Sequence, residues 1–229
     1  MTKVALITGA GSGIGEAIAK LLAQQGAHVI VSSRKLEGCQ HVADAIIAAG
    51  GKATAIACHI GEMEQITNVF AQIKEQFGRL DILVNNAGVH CKKPIEETAF
   101  GDFQNVIDTH VMAAFTLARA VVPGMKQRQG GSLIFIASMT AFIGMPNVVA
   151  YSTAKSGLTG MMRCLASERG GMGIRANAIA PGWIDTPMLH KAIDMAQPGD
   201  VIICDAEGDL TNSLMGELMV AHAKVRGVA

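Results

Sequence analysis

Val4-Ala5-Leu6-Ile7-Thr8-Gly9-Ala10-Gly11-Ser12-Gly13-Ile14-Gly15 stands at the start of the chain, and its reading decides the fold. Val4 to Thr8 is a short apolar run rich in β-branched residues, the pattern of a strand buried on both faces. Gly13 to Gln25 continues with helical periodicity. The turn between them is rich in glycine, which has no Cβ and accepts unusual dihedrals, so another group can come close to the backbone. The helix that follows offers unpaired N–H groups and the positive end of its dipole. The arrangement suits a pyrophosphate; the plainer alternative is an ordinary strand-to-helix turn.

The same alternation runs outward from this stretch. His28 to Ser32 reads as a second strand, Glu37 to Ala49 as a helix and Lys52 to Ala57 as a third strand. Ile66, Val69, Phe70, Ile73 and Phe77 then share one helical face. Leu80 to Val84 is a fourth strand, Phe103 to Gln127 a long helix in spite of Pro123, and Leu133 to Ala137 a fifth strand. Val149 to Arg169 is a further helix and Ile174 to Ile179 a sixth strand. This order predicts an α/β fold, a Rossmann-type doubly wound parallel sheet in a single domain over 1–190, followed by an atypical carboxyl-terminal segment, 191–229.

The 229 residues fit one such domain. Zero formal net charge, without a basic patch, argues against nucleic acid as a partner. The start Met1-Thr2-Lys3-Val4 does not read as a signal peptide. No apolar run reaches the roughly 18 residues of a membrane span, so a cytoplasmic protein is expected. Cys39, Cys58, Cys91, Cys164 and Cys204 are odd in number and lack metal-ligand spacing. They are read as buried free thiols, with no metal site.

Tyr151 and Lys155 stand four residues apart, and Ser138 precedes the tyrosine by thirteen positions. Alone, the pair fits a plain helix surface. Beside a phosphate cradle it points to hydride transfer on a dinucleotide. The second strand ends in Ser32-Ser33-Arg34-Lys35. An acid there would bind the ribose 2′-OH of NAD; none is present, and two cations suit the 2′-phosphate of NADP. The alternative is that Arg34 and Lys35 solvate a helix start.

On these residues 1–190 resemble the short-chain dehydrogenase/reductase family. The matching motifs are the first glycine turn, Asn85-Asn86-Ala87-Gly88, the Ser138, Tyr151 and Lys155 set, and Pro181-Gly182 followed by Thr186. The resemblance implies cofactor contacts from Gly9, Ser12, Gly13, Ile14, Gly15, Ser33, Arg34 and Lys35. It implies others from His59, Ile60, Asn86, Ala87, Gly88, Tyr151, Lys155, Pro181, Gly182, Ile184 and Thr186. It implies Tyr151 as acid/base, its phenolate favoured by the Lys155 ammonium one helical turn away, with Ser138 holding the substrate oxygen. The expected activity is interconversion of a small ketone and a secondary alcohol with NADP. The two long helices resemble the family's dimer-forming pair, which implies a homodimer or a tetramer.

Three stretches depart from the family pattern. His110, in Asp108-Thr109-His110-Val111, takes the place of a catalytic Asn that bends the helix and anchors a water. It is either part of a relay with its own pH dependence or a core histidine. His59 replaces an Asp that binds adenine; it either stacks or accepts a bond there, or is an exposed loop residue. The tail, with Pro198-Gly199-Asp200-Val201 and Gly208-Asp209-Leu210, is similar to a piece of the family of the regulator of ribonuclease activity A and related metal-dependent aldolases. It is read as a fused or altered gene end, with a strand at 201–204 and a helix at 211–225. Two rivals therefore stand beside the enzyme: a dinucleotide-binding protein with little or no turnover, and a tail that serves assembly.

Overall fold

Six short apolar runs form six parallel strands in the computed structural model, which describes residues 2–188. They are β1 (Val4–Thr8), β2 (His28–Ser33), β3 (Lys52–Ala57), β4 (Ile82–Asn85), β5 (Gly131–Ile136) and β6 (Ile174–Ile179), ordered β3-β2-β1-β4-β5-β6 across the sheet. All neighbours pair in parallel. The helices between them are α1 (Gly13–Gln24), α2 (Leu36–Ala48), α3 (Met63–Phe77), α4 (Phe100–Ile107), α5 (Ala113–Gln127) and α6 (Val149–Arg169). The order reverses between β1 and β4. In doubly wound folds the crevice beyond the strands' carboxyl ends at such a reversal is where ligands bind.

Period-two alternation sends successive side chains of each strand into two cores. Leu6, Ile30, Leu83, Leu133 and Phe135 meet Ile66, Val69 and Ile73 of α3 and Leu117 and Met125 of α5. Ile7, Val29, Val31 and Val84 meet Ala19 and Ala23 of α1 and Val42 and Ile46 of α2. Each such fully buried side chain contributes about 1.5–3 kcal/mol.

Strands β4 and β5 form where the apolar runs placed them, with bounds shifted by one or two residues. The β1–β4 ladder begins at Ala5 opposite Ile82. Leu80 is buried but precedes the ladder; at Asp81 the backbone bonds to Val4 and Ser132, and the carboxylate accepts the Val4 N–H at 2.9 Å and pairs with Arg79. Burial pushes the Asp81 carboxyl up, and the Arg79 and Val4 hydrogen bonds outweigh this and hold it below the usual range. Strand β5 begins at Gly131, opposite Ile174, because backbone pairing continues past the apolar residues.

The long helix differs most from expectation. It starts at Phe100, and a π-helical turn, Asp108–Met112, separates α4 from α5. Pro123 is accommodated within α5. By length and mean composition the whole run Phe100–Gln127 is apolar enough to cross a membrane, although polar residues interrupt it and no unbroken apolar stretch of that length occurs. Its apolar residues have another use: Ala113, Ala114, Leu117, Ala118, Val121 and Met125 pack in the core under the sheet. The thiols also differ: Cys39 and Cys58 are buried, whereas Cys91 is half-buried and Cys164 exposed. Burial and then the Glu62 carboxylate push the Cys58 thiol up to about 11.

The chain divides into two compact units, Met1–Ala180 and Pro181–Ala229. The 191–229 tail, with Cys204 and its expected strand and helix, lies outside the described residues.

Candidate active site

The glycine turn is shaped by what its neighbours exclude. Gly9 has φ +65°, and a Cβ there would lie 2.7 Å from the Ala87 Cα. A Cβ on Gly15 would lie 2.5 Å from Asn86 Nδ2 and from the Gly9 carbonyl oxygen. Asn86 Nδ2 donates to the carbonyls of Thr8 (2.9 Å) and Gly9 (3.2 Å). The Thr8 hydroxyl accepts the N–H groups of Asn86 and Ala87, both at 3.1 Å. The Asn85–Gly88 motif therefore fastens the end of β4 to the turn after β1. Helix α1 starts at Gly13, and its N-cap Ser12 makes no capping hydrogen bond. The N–H groups of Gly13, Ile14 and Gly15 have no intrahelical acceptor at such a start. A close-approach cradle on a helix N-terminus fits the pyrophosphate of a dinucleotide.

At the end of β2, Arg34 and Lys35 are exposed and have no ion-pair partner among the described residues. The Ser33 hydroxyl lies 3.1 Å from Cys39 Sγ and donates to the Lys35 carbonyl at 3.3 Å. It also lies 2.9 Å from where a Gly11 Cβ would stand. After β3, Ile60 is buried and His59 half-buried. The expectation that His59 accepts a bond from adenine meets an obstacle. Its Nδ1 accepts the Gly61 N–H at 3.2 Å, so Nε2 carries the proton and is a donor.

The second constellation gathers at the ends of β5 and β4. Ser138 follows β5 and caps a short 3-10 turn, Met139–Ala141, accepting the Thr140 N–H at 3.2 Å. Lys155 comes from the second turn of α6 and donates to the Ile136 carbonyl at 2.6 Å. Its nitrogen stands 5.3 Å from the centre of the Tyr151 ring. Two imidazoles complete the surround: His90 at 4.9 Å, tilted 43°, and His110 at 5.5 Å, edge-on. His90 was not picked out from sequence. Its only signal is its place two residues after Gly88. Pro181, Gly182, Ile184 and Thr186 fall in the second compact unit, apart from these residues in the chain's division.

Electrostatics here run opposite to the expected activation. Burial raises the Tyr151 phenol above its ordinary value of 10.0, and the Ser138 hydrogen bond opposes this in the lesser part. The Lys155 charge does not reverse the balance, and its ammonium is itself driven down to about 7 by burial. In the cofactor-free chain the phenol is a protonated acid.

His110 lies in the π-helical turn and is 3% exposed. Its Nε2 lies 2.8 Å from the Val89 carbonyl oxygen and 3.2 Å from the Val89 nitrogen. Burial, then the Lys155 charge, brings its pKa down to about 3. The buried ring is thus uncharged near pH 7, which does not fit a relay that titrates there. The consequence appears in stability instead. An unfolded imidazole protonates below 6.5 and the folded one only near 3, so the unfolded state binds more protons across that interval. Stability is fully present above 6.5 and falls as pH drops, by up to about 1.4 kcal/mol per pH unit from this residue. Urea midpoints at pH 7 and pH 5 should therefore differ less in His110→Asn than in the wild type. Equal differences would contradict the assignment.

Gly88 leaves the room that His110 fills: a Cβ there would collide with His110 Cε1 and lie 3.0 Å from both ring nitrogens. Gly88→Ala should cost about 1–3 kcal/mol by overpacking. In a His110→Ala background that cost should nearly vanish. A double-mutant cycle in urea checks it, and additive effects would refute the contact.

The sequence profile described as short chain dehydrogenase matches residues 3–197. Cyclohexanol dehydrogenase of Acinetobacter sp. (strain SE19) is 41% identical over 190 residues, covering 82% of this chain and 76% of that protein. A candidate NAD(P)-dependent gluconate 5-dehydrogenase from Beutenbergia cavernae, crystallised with NADP at low occupancy, superposes with a TM-score of 0.80 at 38% identity, covering 84% of this chain and 77% of that one. A 7α-hydroxysteroid dehydrogenase complexed with NADH and 7-oxo glycochenodeoxycholic acid gives a TM-score of 0.80 at 36% identity, covering 82% and 74%.

Proposed function

This chain belongs to the short chain dehydrogenase family, and from that premise we propose that it is an NADP-dependent oxidoreductase interconverting a small ketone and a secondary alcohol. The observation that carries the reading is the convergence of the Ser138 hydroxyl and the Lys155 ammonium on Tyr151. When bound, the nicotinamide supplies or accepts the hydride. Ser138 holds the substrate oxygen and Tyr151 delivers its phenolic proton to it during reduction, taking it back during oxidation. Protonated Lys155 favours the phenolate in the second direction.

The residues proposed to hold the dinucleotide are Gly9, Ser12, Gly13, Ile14 and Gly15 at the pyrophosphate and Asn86, Ala87 and Gly88 beside them. His59 and Ile60 serve the adenine, and Pro181, Gly182, Ile184 and Thr186 serve the nicotinamide. Arg34, with Ser33 and Lys35, takes the 2′-phosphate; two exposed cations without an ion-pair partner among the described residues support this. Arg34→Ala should weaken NADPH binding about 10- to 100-fold, the loss of one charge-assisted hydrogen bond, and leave NADH unchanged. Equal affinity for both forms in wild type and variant, read by Trp183 fluorescence, would remove the 2′-phosphate role. Among the relatives, one structure holds NADP and another NADH, so the choice rests on Arg34 and its neighbours.

A second reading, dinucleotide binding with little turnover, draws on the raised phenol of Tyr151. NADPH-dependent quenching without oxidation across a panel of cyclic ketones, polyol-derived ketoses and oxosteroids would favour it. We extend the proposal to a cytoplasmic homodimer or tetramer, supported by the exposed apolar side chains of Met112 and Phe115 on the long helix. Light scattering reads the assembly. We likewise propose that 1–190 is the catalytic domain and that the tail is a foreign segment, which a read of the source locus tests.

A further inference from the structure

Asn85 and His110 face one another across a small cavity of about 10 Å³, closed by Thr8, Ile60, Ala114 and Leu117. That is about the room one water molecule occupies. Three polar atoms at this place have no hydrogen-bond partner among the described residues: Oδ1 and Nδ2 of Asn85 and Nδ1 of His110. Both residues are nearly inaccessible, at 6% and 3% exposure. Leaving such groups bare costs about 1–3 kcal/mol each, whereas an internal water typically satisfies two to four of them.

The other side of the imidazole poses a choice. Nε2 lies within bonding distance of both the carbonyl oxygen (2.8 Å) and the nitrogen (3.2 Å) of Val89. One ring nitrogen cannot donate and accept together. The shorter contact makes Nε2 the donor, and a neutral ring with its proton there has a bare lone pair on Nδ1.

We propose that this cavity is a hydration site: one bound water donates to His110 Nδ1, exchanges a second hydrogen bond with the Asn85 amide, and thereby fixes His110 in its Nε2–H tautomer. The consequence travels along the chain. The Nε2–H group holds the Val89 carbonyl, the next residue is His90, and His90 packs on the Tyr151 ring. Asn85 is thus a positioning residue acting through His110 on the wall around the tyrosine. The water site sits on Nδ1, away from the nitrogen that meets the backbone, so it is separate from any link between residue 110 and Lys155.

The test reads the ring directly and is independent of whether the protein turns over. Full-length protein with ¹⁵N-histidine is examined by long-range ¹H–¹⁵N correlation at pH 7. The expected result is an Nε2–H pattern for His110, assigned by its loss in His110→Asn, with Nδ1 shifted as a hydrogen-bonded acceptor. A high-resolution crystal structure should show a water within hydrogen-bond distance of Nδ1 and the Asn85 amide. In Asn85→Leu the water should be lost and the Nδ1 shift should move to that of an unbonded acceptor. An Nδ1–H pattern, or a direct Asn85–His110 bond without water, would overturn the proposal. Should Asn85→Leu fail to fold, the wild-type spectrum and structure still decide the matter.

Discussion

Tyr151→Phe should lower kcat by about 10²- to 10⁴-fold, the usual range for removing a positioned acid/base, while NADPH affinity stays within about twofold. The substitution deletes only the phenolic oxygen. The ring keeps its contacts with His90, His110 and the Lys155 ammonium, so the fold around it has no reason to move. What is lost is the proton. Stopped-flow single turnover against fluorescence titration separates the two effects. Full activity in the variant would remove Tyr151 from the chemistry, and a parallel loss of binding would make it a structural residue instead.

Lys155→Met should abolish most turnover and yet stabilise the cofactor-free protein, by about 1–4 kcal/mol if replacement of a buried charge follows its usual range. Lys155 is 3% exposed, and its ammonium donates to the neutral carbonyl of Ile136, with no carboxylate paired to it among the described residues. Burial holds its pKa at about 7 against 10.5 in water. Below 7 both folded and unfolded chains carry the charge, and the penalty is complete. Between 7 and 10.5 the unfolded chain binds more protons, so stability should climb with pH in the wild type and not in Lys155→Met. Thermal unfolding at pH 7 and pH 9 checks the sign. A destabilised variant with an unchanged pH slope would contradict a buried, strained ammonium. The pair of variants also divides the roles: the phenylalanine tests the proton, and the methionine tests the charge beside it.

The legible parts of this molecule were those written as local pattern. Val4-Ala5-Leu6-Ile7-Thr8 announces β1 because all five residues are buried on a sheet covered from both sides. The Tyr151–Lys155 spacing announces one face of a helix. Leu80 misled because burial and strand pairing are different properties: its side chain is inside, but the ladder to β1 begins only at Ile82, after the Asp81 carboxylate has accepted the Val4 N–H. The π-helical turn at Asp108–Met112 is a local widening of the backbone, and nothing in the run Asp108-Thr109-His110-Val111-Met112 announces it. Nor could spacing give the sign of the Tyr151 shift. That sign depends on how much surface the phenol loses on folding, which burial decides and the Ser138 hydrogen bond only partly offsets. His90 escaped notice for the same reason, being a loop residue whose proximity to Tyr151 is wholly tertiary.

The π-helical turn joins α4 to α5 and carries His110, whose ring stands over Gly88, where a Cβ would collide with it. Val106 before the turn and Leu117 after it are both buried, so the helix is seated on the core on either side of the wider turn. An imidazole at 110 and any side chain larger than hydrogen at 88 exclude one another, so substitution at either position is conditional on the other.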